Sequence, residues 1–443
     1  MTIQSLNKLY NWQGATPSDW VLEPMRYCVT LRQNGDWGDE PDDEEEGIYC
    51  LRAADFDYDM LDLKDKKSFA KRKYSAARFN KVKLKSGDLL VEKSGGGEKV
   101  PVGRAILFRW QLEACFSNFL ERIRVLPNVS PRFFFYWWTA GYQSSAFVPY
   151  FNQTTGIQNL NSSELLSRCP IALPPLDEQE RISDVIDAQC SLMNKSIATL
   201  SEEVDVLEHY RASIIHEAVT KGLDPDVPMK PSGIDWIGDI PEGWRIKRIK
   251  FMFDTSSGAT PESGNWDLYD GDISWIQSGD LYAKHVITET GRTVTHKALT
   301  EVSALKIYRA PFVVMAMYGA SVGNVSISSV DACTNQACCV MLPKEEASAQ
   351  YLFYALMDSQ TNLKQKALGG TQPNISQVII RNHKIPVPSK QEQAAIAEYL
   401  DARTAVISTI LETKRKQIDV LKRRRQSLIY EYVTGKRRVE KEI

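Results

Sequence analysis

No run of about 18 apolar residues occurs in the 443-residue chain, so nothing in it reads as a membrane-spanning helix. The opening MTIQSLNKLYNWQGATPSDW also lacks the basic, then apolar, then small-residue order of a secretory leader. A cytoplasmic protein with no membrane partner is expected. None of the eight cysteines sits in a C-x-x-C pair, which excludes the common zinc spacings, and a disulfide framework is not expected in so long a cytosolic chain. Cys338 and Cys339 are merely adjacent and read as buried in a strand.

Catalytic signatures are missing as well. There is no G-x-x-x-x-G-K-[ST] phosphate loop, because VTGKRR near Gly435 lacks the first glycine and the hydroxyl. Neither an N-P-P-Y element of adenine methylation nor a glycine-rich dinucleotide fingerprint is present. The five histidines, His209, His216, His285, His296 and His383, form no H-E-x-x-H or triad-like cluster; His209 and His216, seven apart, are expected to be exposed or to face a partner. No catalytic residue, metal site or cofactor is therefore expected in this chain.

What is present has the composition of a globular protein, 43% hydrophobic and 25% charged, with length for two to four domains. The formal net charge of −2 conceals an uneven distribution. An acidic run, DWGDEPDDEEEG at 36–47, precedes a basic region containing Lys64, Lys66, Lys67, Lys71, Arg72, Lys73, Arg78, Lys81, Lys83 and Lys85. The run reads first as a solvated mobile loop and second as a screen over the basic face.

The chain repeats itself. VDVLEHYRASIIHEAVT at 204–220 and IDVLKRRRQSLIYEYVT at 418–434 share an offset of 214 that holds without a gap from Ile171/Ile385 to Thr220/Thr434. About a third of these positions are identical, among them Glu178/Glu392, Gln179/Gln393, Asp187/Asp401, Arg211/Arg425 and Glu217/Glu431, so the segment is an internal duplication. In the first copy Ile186, Met193, Leu200, Leu207 and Ile214 recur every seven residues. In the second, Leu400, Ile407, Leu421 and Leu428 take the same positions, with Leu411 and Ile418 three residues before Lys414 and Leu421. This heptad register predicts two long helices, each with a narrow apolar seam, and the polar remaining faces argue against ordinary buried bundle helices. The prolines of IALPPLDEQE and IPVPSKQEQ end strands before them, and Glu178 and Glu392 suit a first helical turn.

Fainter matches extend upstream: TPSDWVLEPMR with IPEGWRIKRIK, IYCLRAADF with ISWIQSGDL around Asp55 and Asp280, and TTGIQNL with GGTQPNI around Asn159 and Asn374. Each unit is thus a variable mixed α/β segment followed by a long helix. The segment at 307–330 alternates like short strands, the one from Ala349 reads as a helix, and the aromatic PRFFFYWWTAGYQ reads as its buried counterpart. The predicted organisation is a first recognition domain at 1–170, a spacer helix at 171–222, a connector at 223–243, a second recognition domain at 244–384, and a second spacer helix with a basic tail at 385–443.

With its doubled P-x-x-x-E-Q-x-x-I helix entry and GIDWIGDIPEGW connector, the whole chain resembles the specificity subunits of type I restriction-modification enzymes. The resemblance implies an α+β fold with two target-recognition domains of mixed α/β structure. Their long helices would pack as an antiparallel coiled coil with pseudo-two-fold symmetry. It implies a non-catalytic subunit that binds a split, asymmetric site in double-stranded DNA and scaffolds two methyltransferase subunits and restriction/translocase subunits. Adenine-N6 methylation, S-adenosylmethionine, ATP and magnesium would belong to those partners.

For the DNA contacts, the residue chemistry favours cations and small polar side chains beside glycines, where backbone can approach phosphate closely. In the first domain these are Lys93, Ser94 and Lys99 of VEKSGGGEKVPVGR, with Arg72, Lys73 and Arg78 as further candidates. In the second they are Tyr318, Ser321 and Asn324 of MYGASVGN, with Gln372 and Asn374 of GGTQPN. The same glycines could instead only close hairpins, and the matched asparagines could be structural. Competing readings are an autonomous nuclease, from Pro41-Asp42 and Asp62-Leu63-Lys64 in the loose P-D…D-x-K pattern, a coiled-coil assembly protein without DNA affinity, and a specificity subunit of another multisubunit restriction class.

Overall fold

The heptad stretches fold as two long helices, Leu176–Lys221 and Lys390–Val433, in a computed structural model that describes residues 12–41, 47–97, 100–154, 157–282, 285–367 and 374–439. Both begin later than 171 and 385, because Pro170–Leu173 and Lys384–Val387 are strands and the prolines that follow them delay the first turn. Ser389 and Glu392 cap the second helix reciprocally: Glu392 N donates to Ser389 Oγ at 3.2 Å, and Ser389 N to Glu392 Oε2 at 3.0 Å. No helix among the described residues is long and apolar enough to cross a membrane.

The chain divides into two units, Met1–Glu202 with Lys414–Ile443 and Glu203–Thr413, and the boundary falls inside both long helices. Each unit therefore holds one globular segment, the half of one helix that follows it, and the opposite half of the other. In the first, strand Val21–Pro24 pairs antiparallel with Pro170–Leu173, and a four-stranded sheet is ordered Val29–Asn34, Leu120–Val125, Leu89–Glu92, Ala105–Leu107. In the second, Arg245–Arg248 pairs antiparallel with Lys384–Val387, and a five-stranded sheet is ordered Phe253–Ser257, Cys338–Pro343, Phe312–Ala316, Val325–Ser328, Val286–Ile287. Cys338 and Cys339 are buried in that sheet.

The heptad positions are the inward ones. Ile186, Met193, Ile214, Leu400, Ile407 and Leu411 are buried, while Leu200, Leu207, Ile418, Leu421 and Leu428 are half-buried. The seam is not purely helix against helix, however. Ile186 joins the core of Phe133–Trp138 in the first unit, and Leu400 joins Leu352 and Leu356 in the second, so its ends serve as domain core. Arg425, at a heptad position, is buried and donates to Asn194 across the pair.

The aromatic segment is the buried helix Pro131–Gln143. Its counterpart, Ala349–Asp358, is shorter than the expected single helix, because Ser359 turns its hydroxyl back onto Ala355 O and a separate helix, Gln360–Gln365, follows. Identical contacts join each to its long helix. Gln179 accepts from Ser130 N at 2.8 Å and donates to Pro174 O at 2.9 Å; Gln393 accepts from Ser348 N at 2.9 Å and donates to Pro388 O at 3.1 Å. Tyr136 donates to Asp187, and Tyr354 to Asp401 at 2.6 Å. The duplicated glutamine and aspartate thus weld domain to helix in both copies. Gln393→Ala, at a site 2% exposed, is expected to destabilise the second unit by about 2–3 kcal/mol in denaturant unfolding, since partners are left unpaired. An unchanged midpoint would contradict the weld.

Candidate nucleic-acid interface

Two hairpins, each next to a predicted reading loop, are built on one hydrogen-bond frame. In the first unit Glu92 N bonds to Arg104 O, Gly103 N to Glu92 O, Lys93 N to Phe119 O and Leu160 N to Lys93 O, at 2.8–3.0 Å. In the second the bonds are Ala316 N to Asn324 O, Gly323 N to Ala316 O, Met317 N to Ala337 O and Ile375 N to Met317 O, at 2.7–2.9 Å. The frame makes Lys93 equivalent to Met317, Ser94 to Tyr318 and Asn159 to Asn374. Ser94 lies opposite Asn159, and Tyr318 opposite Asn374. The next residues, Gly95 and Gly319, both have positive φ, 114° and 84°, and a Cβ on either would meet nothing within 4 Å. Glycine is there for backbone conformation, and the space in front of it is open.

Side chains differ where the frame is the same. Lys93 Nζ donates to Asn34 Oδ1 at 3.0 Å, and half-buried Ser94 lines an open cavity of about 470 Å³ with Trp37, Arg52, Asn118 and Phe119. Tyr318 is half-buried, with its phenol held above the usual range by burial, and Asn374 is exposed. Ser321 is buried and Asn324 is tied to Gln360, so these two shape the turn rather than face outward. Lys99 and Gln372 lie outside the described residues.

Arg72 and Arg78 are engaged elsewhere. The Arg78 guanidinium forks onto Asp36 at 2.8 and 2.9 Å and reaches Asp39 at 2.6 Å, which holds the Asp36 carboxyl below the usual range. Arg72 stacks 4.0 Å over Trp37 and pairs with Glu40. Lys73 is exposed, and its backbone bridges to Asp39. The first part of the acidic run therefore pairs with two basic residues, as the screening reading expects; positions 42–46 lie outside the described residues. Of the nuclease pattern, Asp42 lies outside the described residues, and the second half makes contacts within the fold. Asp62 Oδ1 accepts from Trp110 Nε1 and Leu63 N, Lys64 Nζ donates to Ala54 O, and no metal-binding group of three His, Cys, Asp or Glu occurs among the described residues.

Other groups escaped the sequence reading. Trp266 and Tyr282 of the second unit are 70% and 74% exposed, and Tyr282 borders a cavity of about 360 Å³ with Arg211, His285, Asn324 and Thr404. His285 stacks 4.0 Å from Phe353 and stands 3.9 Å from Asp401; Arg109 of the first unit takes the same seat over Phe135, Tyr136 and Asp187. His216, expected to be exposed or partner-facing, pairs with Asp358 at 3.0 Å, while His209 is exposed. Only three-dimensional pairing reveals these. One signal was legible, though: W-x-G-x-x-P-x-x-W occurs at 12–20 and again at 236–244.

The family model described as "Type I restriction modification DNA specificity domain" matches residues 53–205 and 241–420. A Methanocaldococcus jannaschii protein named "Putative type I restriction enzyme MjaX specificity subunit" is 23% identical over 96% of both chains. The MjaIX specificity subunit of the same organism is 31% identical over 42% of this chain and 43% of its own. A solved chain from work on "complex assembly" and "conformational transition of the type I R-M system" has a TM-score of 0.63 at 17% identity, covering 95% of this chain and 98% of its own, a likeness of fold.

Proposed function

The chain belongs to the type I restriction-modification DNA specificity family, and on that premise we propose that its two hairpin frames read the two halves of a split, asymmetric DNA site. Carrying the reading is one observation: the same four backbone hydrogen bonds present Lys93-Ser94-Gly95 in one unit and Met317-Tyr318-Gly319 in the other. A common frame with different side chains is what two independent readers of different bases require. The chain is a DNA specificity subunit, and in its complex the catalysis falls to the partners. Two methyltransferase subunits would dock on the repeated helix faces and modify adenine-N6 with S-adenosylmethionine. Restriction subunits would add the ATP- and magnesium-dependent motor and nuclease, and the paired helices would set the spacing of the half-sites.

Genome-wide mapping of N6-methyladenine, with and without this gene and beside its methyltransferase, tests the reading. One split motif should lose methylation. Exchanging residues 249–382, bounded by the strands Arg245–Arg248 and Lys384–Val387, for those of a relative should then change one half of that motif. A change in both halves would sink the model of independent readers.

A further inference from the structure

The repeated W-x-G-x-x-P-x-x-W segment seats its first tryptophan beside the strand pair that closes each unit, and the two seats differ in charge. In the first unit the strands meet at Pro24 opposite Pro170, next to Cys169. The second has Arg248 opposite Lys384, next to His383. Like charges directly across an antiparallel pair repel, and the first unit makes the same pairing without them, so the fold does not require these cations.

They border an open cavity of about 470 Å³ with Lys366, Asp235, Trp236 and His383. The side chains of Arg248, Lys366 and Lys384 have no hydrogen-bond or ion-pair partner among the described residues, and Asp235 is the single carboxylate in the lining. The His383 ring stacks 5.6 Å from Trp236, is 3% exposed, and neither of its nitrogens has a hydrogen-bond partner. Whichever tautomer it adopts, one nitrogen carries a proton with no acceptor, a costly arrangement in a buried group. Burial, then the Lys366 charge, push its pKa down to about 4, so the ring is neutral in an electropositive surrounding.

We propose that this cavity is a phosphate site, in which Arg248, Lys366 and Lys384 surround one phosphate group above the buried, neutral His383 ring. Three cations against one carboxylate suit an anion of more than one charge, and phosphate oxygens satisfy several donors at once. The group can come from a DNA backbone or from a free phosphate compound. The site goes beyond the base-reading hairpins and stands whether or not the half-site exchange behaves as expected.

Inorganic phosphate titrated into the full chain at constant ionic strength, followed by calorimetry and thermal melting, tests it. Saturable binding and a rise in Tm are expected, with affinity at least tenfold weaker in R248Q/K384Q and reduced in R248Q alone. In phosphate-free buffer the double variant should melt no lower than the parent, because a repulsive pair has been removed; a merely structural role would lower it. A duplex of unrelated sequence separates the two sources. If it displaces phosphate, and the double variant loses close to 1 from the slope of log K against log salt, the phosphate is that of the DNA backbone. If phosphate binds while duplex affinity and slope stay unchanged, the ligand is a free phosphate compound. Absence of saturable binding, or an equal response in parent and double variant, overturns the site.

Discussion

Leu400→Asp should cost the second unit more than about 4 kcal/mol, enough to remove its cooperative unfolding transition at ordinary temperature. The side chain is fully buried in the cluster with Leu352, Leu356, Ile396 and Leu411, and the next residue, Asp401, is already a carboxylate, so a second charge finds no partner there. Ile186→Asp, its repeat mate and equally buried, should do the same to the first unit. Leu207→Asp and Leu421→Asp, at half-exposed positions, should cost only about 1–2 kcal/mol and act mainly by loosening partner assembly. Guanidinium unfolding followed by tryptophan fluorescence distinguishes the cases. A Leu400→Asp protein as stable as its parent would mean that the heptad seam carries no core.

The second large effect is a pH dependence. His383 is 3% exposed with an imidazole pKa pushed down from 6.5 to about 4, chiefly by burial. Between those values the unfolded chain binds the proton and the folded chain does not, so stability rises with pH across the window. The advantage is complete above about 6.5 and is lost as pH falls toward 4, a change of about 3 kcal/mol from this one residue. His383→Leu should remove it without breaking a hydrogen bond, since neither ring nitrogen makes one. In phosphate-free buffer the stability of the variant relative to its parent should be about 3 kcal/mol more favourable at pH 4 than near pH 7.5. Parallel stability curves for the two proteins would refute this.

Much of the architecture is legible in local patterns. A heptad repeat names the inward face of a helix without any knowledge of the partner, because the helical period alone places every third and fourth side chain together. The duplication is legible for a similar reason, and Gln179/Gln393 and Asp187/Asp401 recur because each copy needs the same weld. The pairing of Asp55 with Asp280 also has a local cause: each accepts from the backbone N–H three residues earlier, of Arg52 and Gln277, at 2.8 Å.

The candidate interface was legible only in part. Lys93, Ser94, Tyr318 and Asn374 stand on the two frames, whereas Ser321 and Asn324 shape a turn and Arg72 and Arg78 are bound by acids. Thus the sequence by itself determined the duplication, the helix faces, the family and hence the role in DNA specificity, because periodicity and repetition act along the chain. Tertiary structure alone decided which cations remain available. Arg78 is neutralised by a carboxylate 42 residues away, while Arg248 faces Lys384 across a strand pair 136 residues apart, and Coulomb energy depends on distance through space rather than along the chain.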